Sequence, residues 1–162
     1  MFLVFETSFL NRLGLQAWRV EMNIFHCGLR LAGQPGLICR DSKGHFVILD
    51  WKRCKAINYC GFQNECMLYP LCGISQSNFW VYCIQLNLYR HILETEYGMH
   101  VSAMYIVALH PSQEPKGPHV HSVPRMDSEI KSLISFIAPI HKISTSNYPD
   151  PKAPLFLEGT RF

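Results

Sequence analysis

The chain has 162 residues, of which 48% are hydrophobic and 17% charged. That balance gives one domain enough apolar surface for a core and excludes a disordered chain. A formal net charge of +3 permits a nucleic-acid partner without demanding one, and no run approaches the roughly 18 apolar residues of a membrane span. Residues 1–16 are apolar in patches, lack a basic start and carry Glu6. They are expected as a short N-terminal segment, not a secretory signal. Residues 17–25, AWRVEMNIF, combine β-formers with polar residues at Arg19, Glu21 and Asn23, which predicts a first strand. His26-Cys27-Gly28 is a tight connection to a second strand over 29–40, interrupted at Gln34-Pro35-Gly36. Asp41 to Gly44 reads as a hairpin turn, and residues 45–51 as a third strand. Residues 58–77 are irregular, broken by Gly61, Pro70 and Gly73.

A long helix is predicted over 79–97, where Trp80, Ile84, Leu88 and Ile92 recur at helical spacing and Gly98 supplies a stop. Residues 101–109, VSAMYIVAL, are nearly all apolar, as in a strand covered on both faces. Residues 113–123 are rich in Pro, Gly and His and read as a loop. MDSEIKSLISFI predicts a final helix, with Asp127 as its cap and Ile130, Leu133, Ile134 and Ile137 on one face. The order is βββ-α-β-α, an α/β (α+β) mixed sheet with helices packed on it. The domain is expected over 17–142, followed by a Pro-rich, flexible tail over 143–162.

Seven scattered cysteines argue against a disulfide framework and for a reducing, intracellular location, cytoplasmic or nuclear. Cys60, Cys66 and Cys72 are evenly spaced, but no C-x-x-C pair exists, so buried or loop thiols are favoured over zinc. His119 and His121 could ligate a metal, but a flexible loop position is the favoured explanation. Trp18, Trp51 and Trp80 read as core residues.

The stretch GHFVILDWKRCK holds the most informative chemistry. Asp50 and Lys52 stand two apart on a strand, so they face one side. A carboxylate there can bind Mg²⁺, and a lysine beside it can orient water or steady phosphate charge. In isolation the pair is better explained as a solvated strand end. Counting back across the turn brings position 36 opposite positions 49 and 50. On the helix, Gln85 and Tyr89 are four apart and share a face. Lys52, Arg53 and Lys55 form a short basic run able to meet a few phosphates.

Taken in order, LAGQPG, DWK and Q-x-x-x-Y resemble the RecB-like branch of the PD-(D/E)xK nuclease superfamily. The resemblance implies a three-layer, restriction-endonuclease-like core that cleaves DNA phosphodiesters with Mg²⁺ or Mn²⁺, within a larger DNA-processing protein of repair or recombination. It implies that Asp50 binds the metal, that Lys52 assists the water, and that Gln85 and Tyr89 support the site. Lys52, Arg53, Lys55 and Tyr89 would then meet DNA. Two departures stand out. The position of the family's first metal-binding aspartate holds Gly36, which has no ligand to offer. Only sixteen residues precede the first strand, where these nucleases usually carry helices with a further carboxylate. Glu21 is the nearest substitute, although hairpin counting turns it to the opposite face from position 36. An impaired nuclease is therefore expected, with a non-catalytic nucleic-acid-binding or scaffolding form of the same fold as the alternative.

Overall fold

The computed structural model describes residues 9–113 and 115–143, the last three as backbone alone. Glu6 and nearly all of the expected tail lie outside the described residues. Five of the seven strands among the described residues form one mixed sheet. They are, in spatial order, β1 (Gln16–Val20), β4 (Leu37–Arg40), β5 (Phe46–Lys52), β6 (Val101–Ala108) and β7 (His119–Ser122). The pairs β1–β4, β4–β5 and β6–β7 are antiparallel, and β5–β6 is parallel. The parallel pair requires a crossover, supplied by helix α1 (Asn78–Glu96). A second helix, α2 (Asp127–Ile143), follows β7.

The first predicted strand is two. β1 ends where Glu21 enters the left-handed region, at φ 46°, a conformation that breaks extended pairing. β2 (Ile24–His26) then pairs with β3 (Leu31–Gly33) in a separate two-stranded ribbon. A single 3₁₀ turn at Cys27–Leu29 joins them, left through Arg30 at φ 49°. The expected three-strand meander is thus β1, β4 and β5, with the β2–β3 ribbon inserted at its first bend. Register irregularities fall at Ala17/Arg19 in β1 and at Phe46/Val47 in β5. The loop predicted over 113–123 contains β7, an edge strand. Its pairing comes from the open side of β6, which its own Pro/Gly/His-rich composition does not signal.

Strand parity divides the core. Ile38, Ile48, Met104 and Ile106 face α1 and α2, together with Phe79, Leu86, Ile92, Leu93 and Ile130. Leu37, Cys39, Val47, Leu49 and Val107 face the other way, against Phe9, Leu10 and Leu15. Two helices therefore cover one face, and among the described residues the N-terminal turn covers the other. Arg90, 3% exposed, ties α1 to α2 by binding Glu94 at 3.1 Å and Asp127 at 2.6 Å. The buried Asn87 amide donates to Cys83 O and Pro124 O, and its oxygen accepts from Met126 N, which fixes the entry to α2. Asp127, expected as that helix's cap, instead directs its carboxylate at Arg90 and Arg125.

Candidate active site

Asp50 and Lys52 alternate with Trp51 at the C-terminal end of β5, so both lie on the helix face of the sheet beyond Ile48. Their side chains meet, with Lys52 Nζ 2.6 Å from Asp50 Oδ2. The same ammonium donates to Gln85 Oε1 at 2.6 Å and sits 4.5 Å from the centroid of the Tyr82 ring. Gln85 Nε2 then donates to the Tyr89 hydroxyl at 2.8 Å. Residues 82, 85 and 89 fall on one stripe of α1 because three- and four-residue steps stack on a helix. A carboxylate, an ammonium, an amide and a phenol thus form one hydrogen-bonded chain.

The shielding decides how much this chain matters. The Lys52 and Asp50 side chains keep 15% and 10% of their exposure, so water screens them poorly. Removing one partner of a buried pair typically costs about 3–5 kcal/mol, far more than at an exposed pair.

Two glycines shape the cleft. Gly33 ends β3 against the Tyr89 ring: an added Cβ would stand 2.2 Å from Cε1, so only glycine permits the approach. Gly36 precedes the residue pair Leu37–Leu49, which puts it beside Asp50. Its N–H donates to Asp50 Oδ1 at 3.1 Å. A Cβ at position 36 would lie 3.4 Å from that oxygen and 2.8 Å from Trp51 Cδ1.

Of the residues expected to meet DNA, Lys52 is already engaged twice and Tyr89 is buried, whereas Arg53 and Lys55 are exposed. Glu21 is also exposed, and its N–H donates to Gly36 O at 3.1 Å. Cys60, Cys66 and Cys72 carry free, exposed thiols. Burial pushes the Cys39 thiol up to about 11 and the Cys83 thiol up to about 12, which removes both as nucleophiles at neutral pH. Gly33 and Tyr82 were not singled out from sequence. Gly33 stands in the quoted LAG, and Tyr82 lies three residues before Gln85, a helical step that points to it.

A hard divalent cation prefers oxygen donors. Among the described residues no group of three His, Cys, Asp or Glu side chains converges to hold a metal. Asp50 offers oxygens that already accept from Gly36 and Lys52. The donor set therefore fits a weak single-carboxylate site and not a multi-carboxylate one.

No protein-family model matches the sequence, and no curated protein matches it. Solved structures give distant likenesses. A complex of EndoMS with double-stranded DNA is 23% identical, with TM-score 0.38 over 71% of this chain and 35% of that one. A candidate exonuclease of Eubacterium rectale is 15% identical, with TM-score 0.47 over 84% of this chain and 46% of that one. SSO0001 is 12% identical, with TM-score 0.40 over 88% and 57%. The chain spans roughly a third to somewhat over half of the length of these proteins. With TM-scores below 0.5, the assignment of architecture rests on strand order and register: a mixed α/β sheet of restriction-endonuclease-like topology. No helix among the described residues is long and apolar enough to cross a membrane.

Proposed function

We propose that this chain is a DNA-binding module on a nuclease-like fold of the PD-(D/E)xK kind, with its phosphodiester cleavage impaired. The observation that carries this reading is the contact between Gly36 N and Asp50 Oδ1. Position 36 meets Asp50 with a backbone amide, and as glycine it offers no second carboxylate there. Binding needs only exposed donors near the cleft, and Arg53 and Lys55 supply them. With few cations, each neutralised phosphate contributes about 0.9 to the salt slope, so binding is weak and salt-sensitive.

A second reading, residual Mg²⁺- or Mn²⁺-dependent cleavage, is favoured by the intact chain from Asp50 to Tyr89. Mg²⁺ is often held by one or two carboxylates plus phosphate oxygens, and here Asp50 would be its protein ligand. Bound there, the ion would polarise a phosphoryl oxygen and acidify a water. Lys52, positioned by Gln85, would steady charge on the phosphate, and Tyr89 would fix the Gln85 amide.

The test combines binding and cleavage. Labelled DNA is titrated at low and at physiological salt, and plasmid and linear DNA are incubated with Mg²⁺ or Mn²⁺. Expected are micromolar-or-weaker binding that declines with salt and slow or absent cleavage. Absence of binding at low salt refutes the DNA-binding reading. Efficient cleavage abolished by Asp50→Asn refutes the impairment.

A further inference from the structure

We propose that the surface leaving β5 beyond Lys52 takes single-stranded DNA, with an unpaired base stacked on Tyr59 and the adjoining phosphates met by Arg53 and Lys55. The inference rests on the DNA-binding reading above and adds the form of nucleic acid that is bound.

Tyr59 is 50% exposed and Phe62 76% exposed, so both present ring surface to solvent. Tyr59 is nevertheless held. Its ring lies on Phe79, centroids 4.3 Å apart, and its hydroxyl is 2.9 Å from His121 Nδ1. Burial, then the neighbouring His119, lowers the His121 pKa below its ordinary value. The imidazole is therefore neutral near pH 7, and Nδ1 can accept the Tyr59 proton.

The backbone under the ring is fixed as well. The Asn78 amide donates to Ala56 O at 3.0 Å, and its oxygen accepts from Asn58 N at 2.8 Å. Phe79 N–H donates to Asn58 O at 3.3 Å. Segment 56–59 is thus pinned across the start of α1 and needs little further ordering when a ligand binds, which favours affinity.

Position links this ledge to the cleft. His121 pairs with Ile106, and Ile106 pairs with Asp50. Residues paired across strands share a face, so His121 and Asp50 lie on one side of the sheet, two strand spacings or roughly 10 Å apart. Between Lys52 and Tyr59 the chain carries Arg53 and Lys55, exposed and without a hydrogen bond or ion pair among the described residues.

A held, half-exposed ring with two exposed cations four and six residues before it in the chain has the components that bind single strands: bases stack on rings and phosphates pair with cations. In a duplex the base faces are covered by their neighbours. A protein partner would use the apolar rings and gain little from the two free cations.

The experiment uses the full chain in EDTA, so that cleavage plays no part. Fluorescence anisotropy compares a labelled single-stranded oligonucleotide with its duplex. The variants are Tyr59→Leu, which keeps cover over Phe79 but removes the π face, and Tyr59→Phe, which keeps the ring and loses the His121 bond. Thermal melting checks that each is folded. Expected are tighter binding of the single strand than of the duplex, a roughly 5- to 100-fold loss for the single strand in Tyr59→Leu, near-natural affinity in Tyr59→Phe, and unchanged duplex binding throughout. Equal affinity for both forms, or a Tyr59→Leu chain that binds the single strand as the natural one does, overturns the inference while leaving DNA binding intact. Binding of neither form overturns the DNA-binding reading itself.

Discussion

Placing a carboxylate at position 36 tests whether this residue faces Asp50 in the chemically relevant sense. In Gly36→Asp the new Cβ meets Trp51 Cδ1 at 2.8 Å and Asp50 Oδ1 at 3.4 Å. Trp51 is partly exposed and can shift, at the usual overpacking cost of about 1–3 kcal/mol. The two carboxylates would repel by about 4 kcal/mol at 4 Å in an effective dielectric of 20, partly offset by Lys52. A loss of a few kcal/mol lowers the melting temperature of a domain this size by roughly 5–15 °C. A divalent cation bound between them reverses that loss, by about 2.7 kcal/mol at a hundred times its dissociation constant. Thermal melts in EDTA and in Mn²⁺ should therefore show a destabilised variant rescued by metal, and a natural chain that responds little. In Mg²⁺ or Mn²⁺ the variant should cut DNA at least about 10–100-fold faster than the natural chain, since even outer-shell losses around a metal have that size. Adding Asp50→Ala should abolish the gain. A Gly36→Asp chain that melts like the natural one and ignores Mn²⁺ would refute the placement. A natural chain that already cuts, and stops on Asp50→Ala, would make Glu21 the first substitute to examine.

Gly33→Ala forces the hairpin off Tyr89 and should destabilise the chain by about 1–3 kcal/mol in urea unfolding; an unchanged midpoint would contradict the close approach. Lys52→Met strands a shielded Asp50 and should lose about 3–5 kcal/mol, with part of it recovered when Asp50→Asn is added; strictly additive losses would mean that the two do not interact. The His91 pKa is held below its ordinary value of 6.5, first by burial and then by the His26 and Arg90 charges, with Glu94 and Glu96 opposing. Its unfolded form binds protons more readily, so its contribution is full above about pH 6.5 and is lost as pH falls through the folded value. Melting temperature followed from pH 7.5 to 5 should decline less steeply in His91→Gln than in the natural chain.

The sequence made legible what depends on period and on short-range counting. Strand parity put Asp50 and Lys52 on one side, helical spacing put Gln85 and Tyr89 on one stripe, and counting through the Asp41–Gly44 turn put position 36 beside Asp50. Each follows from local geometry that the fold does not override. What stayed hidden depends on backbone conformation or on partners distant in sequence. The break at Glu21 needs a positive φ in a residue with ordinary β neighbours. β7 exists because β6 has an open edge, and the Asp127 carboxylate turns to an arginine 37 residues away. The close fit of Gly33 to Tyr89 required knowing that the β2–β3 ribbon folds onto α1.

If cleavage is impaired as proposed, the pairing around Asp50 also explains how the cleft keeps its shape. A buried carboxylate whose charge is balanced only by a cation would become costly once that cation was lost. Here the charge is met from within the chain. Lys52 stands on one oxygen, the Gly36 amide on the other, and Gln85 Oε1 accepts a second hydrogen bond from the same ammonium. Tyr89 completes the chain and is itself clamped by Gly33. The site is electrostatically closed without a metal, so the fold does not require a second carboxylate at position 36. The same closure opposes catalysis. A divalent cation at Asp50 must displace the ammonium from Oδ2 or share that oxygen with it, and two positive charges on one oxygen in a shielded cleft repel strongly. On the proposed reading, stability of the cleft and weak metal affinity are thus two consequences of one arrangement.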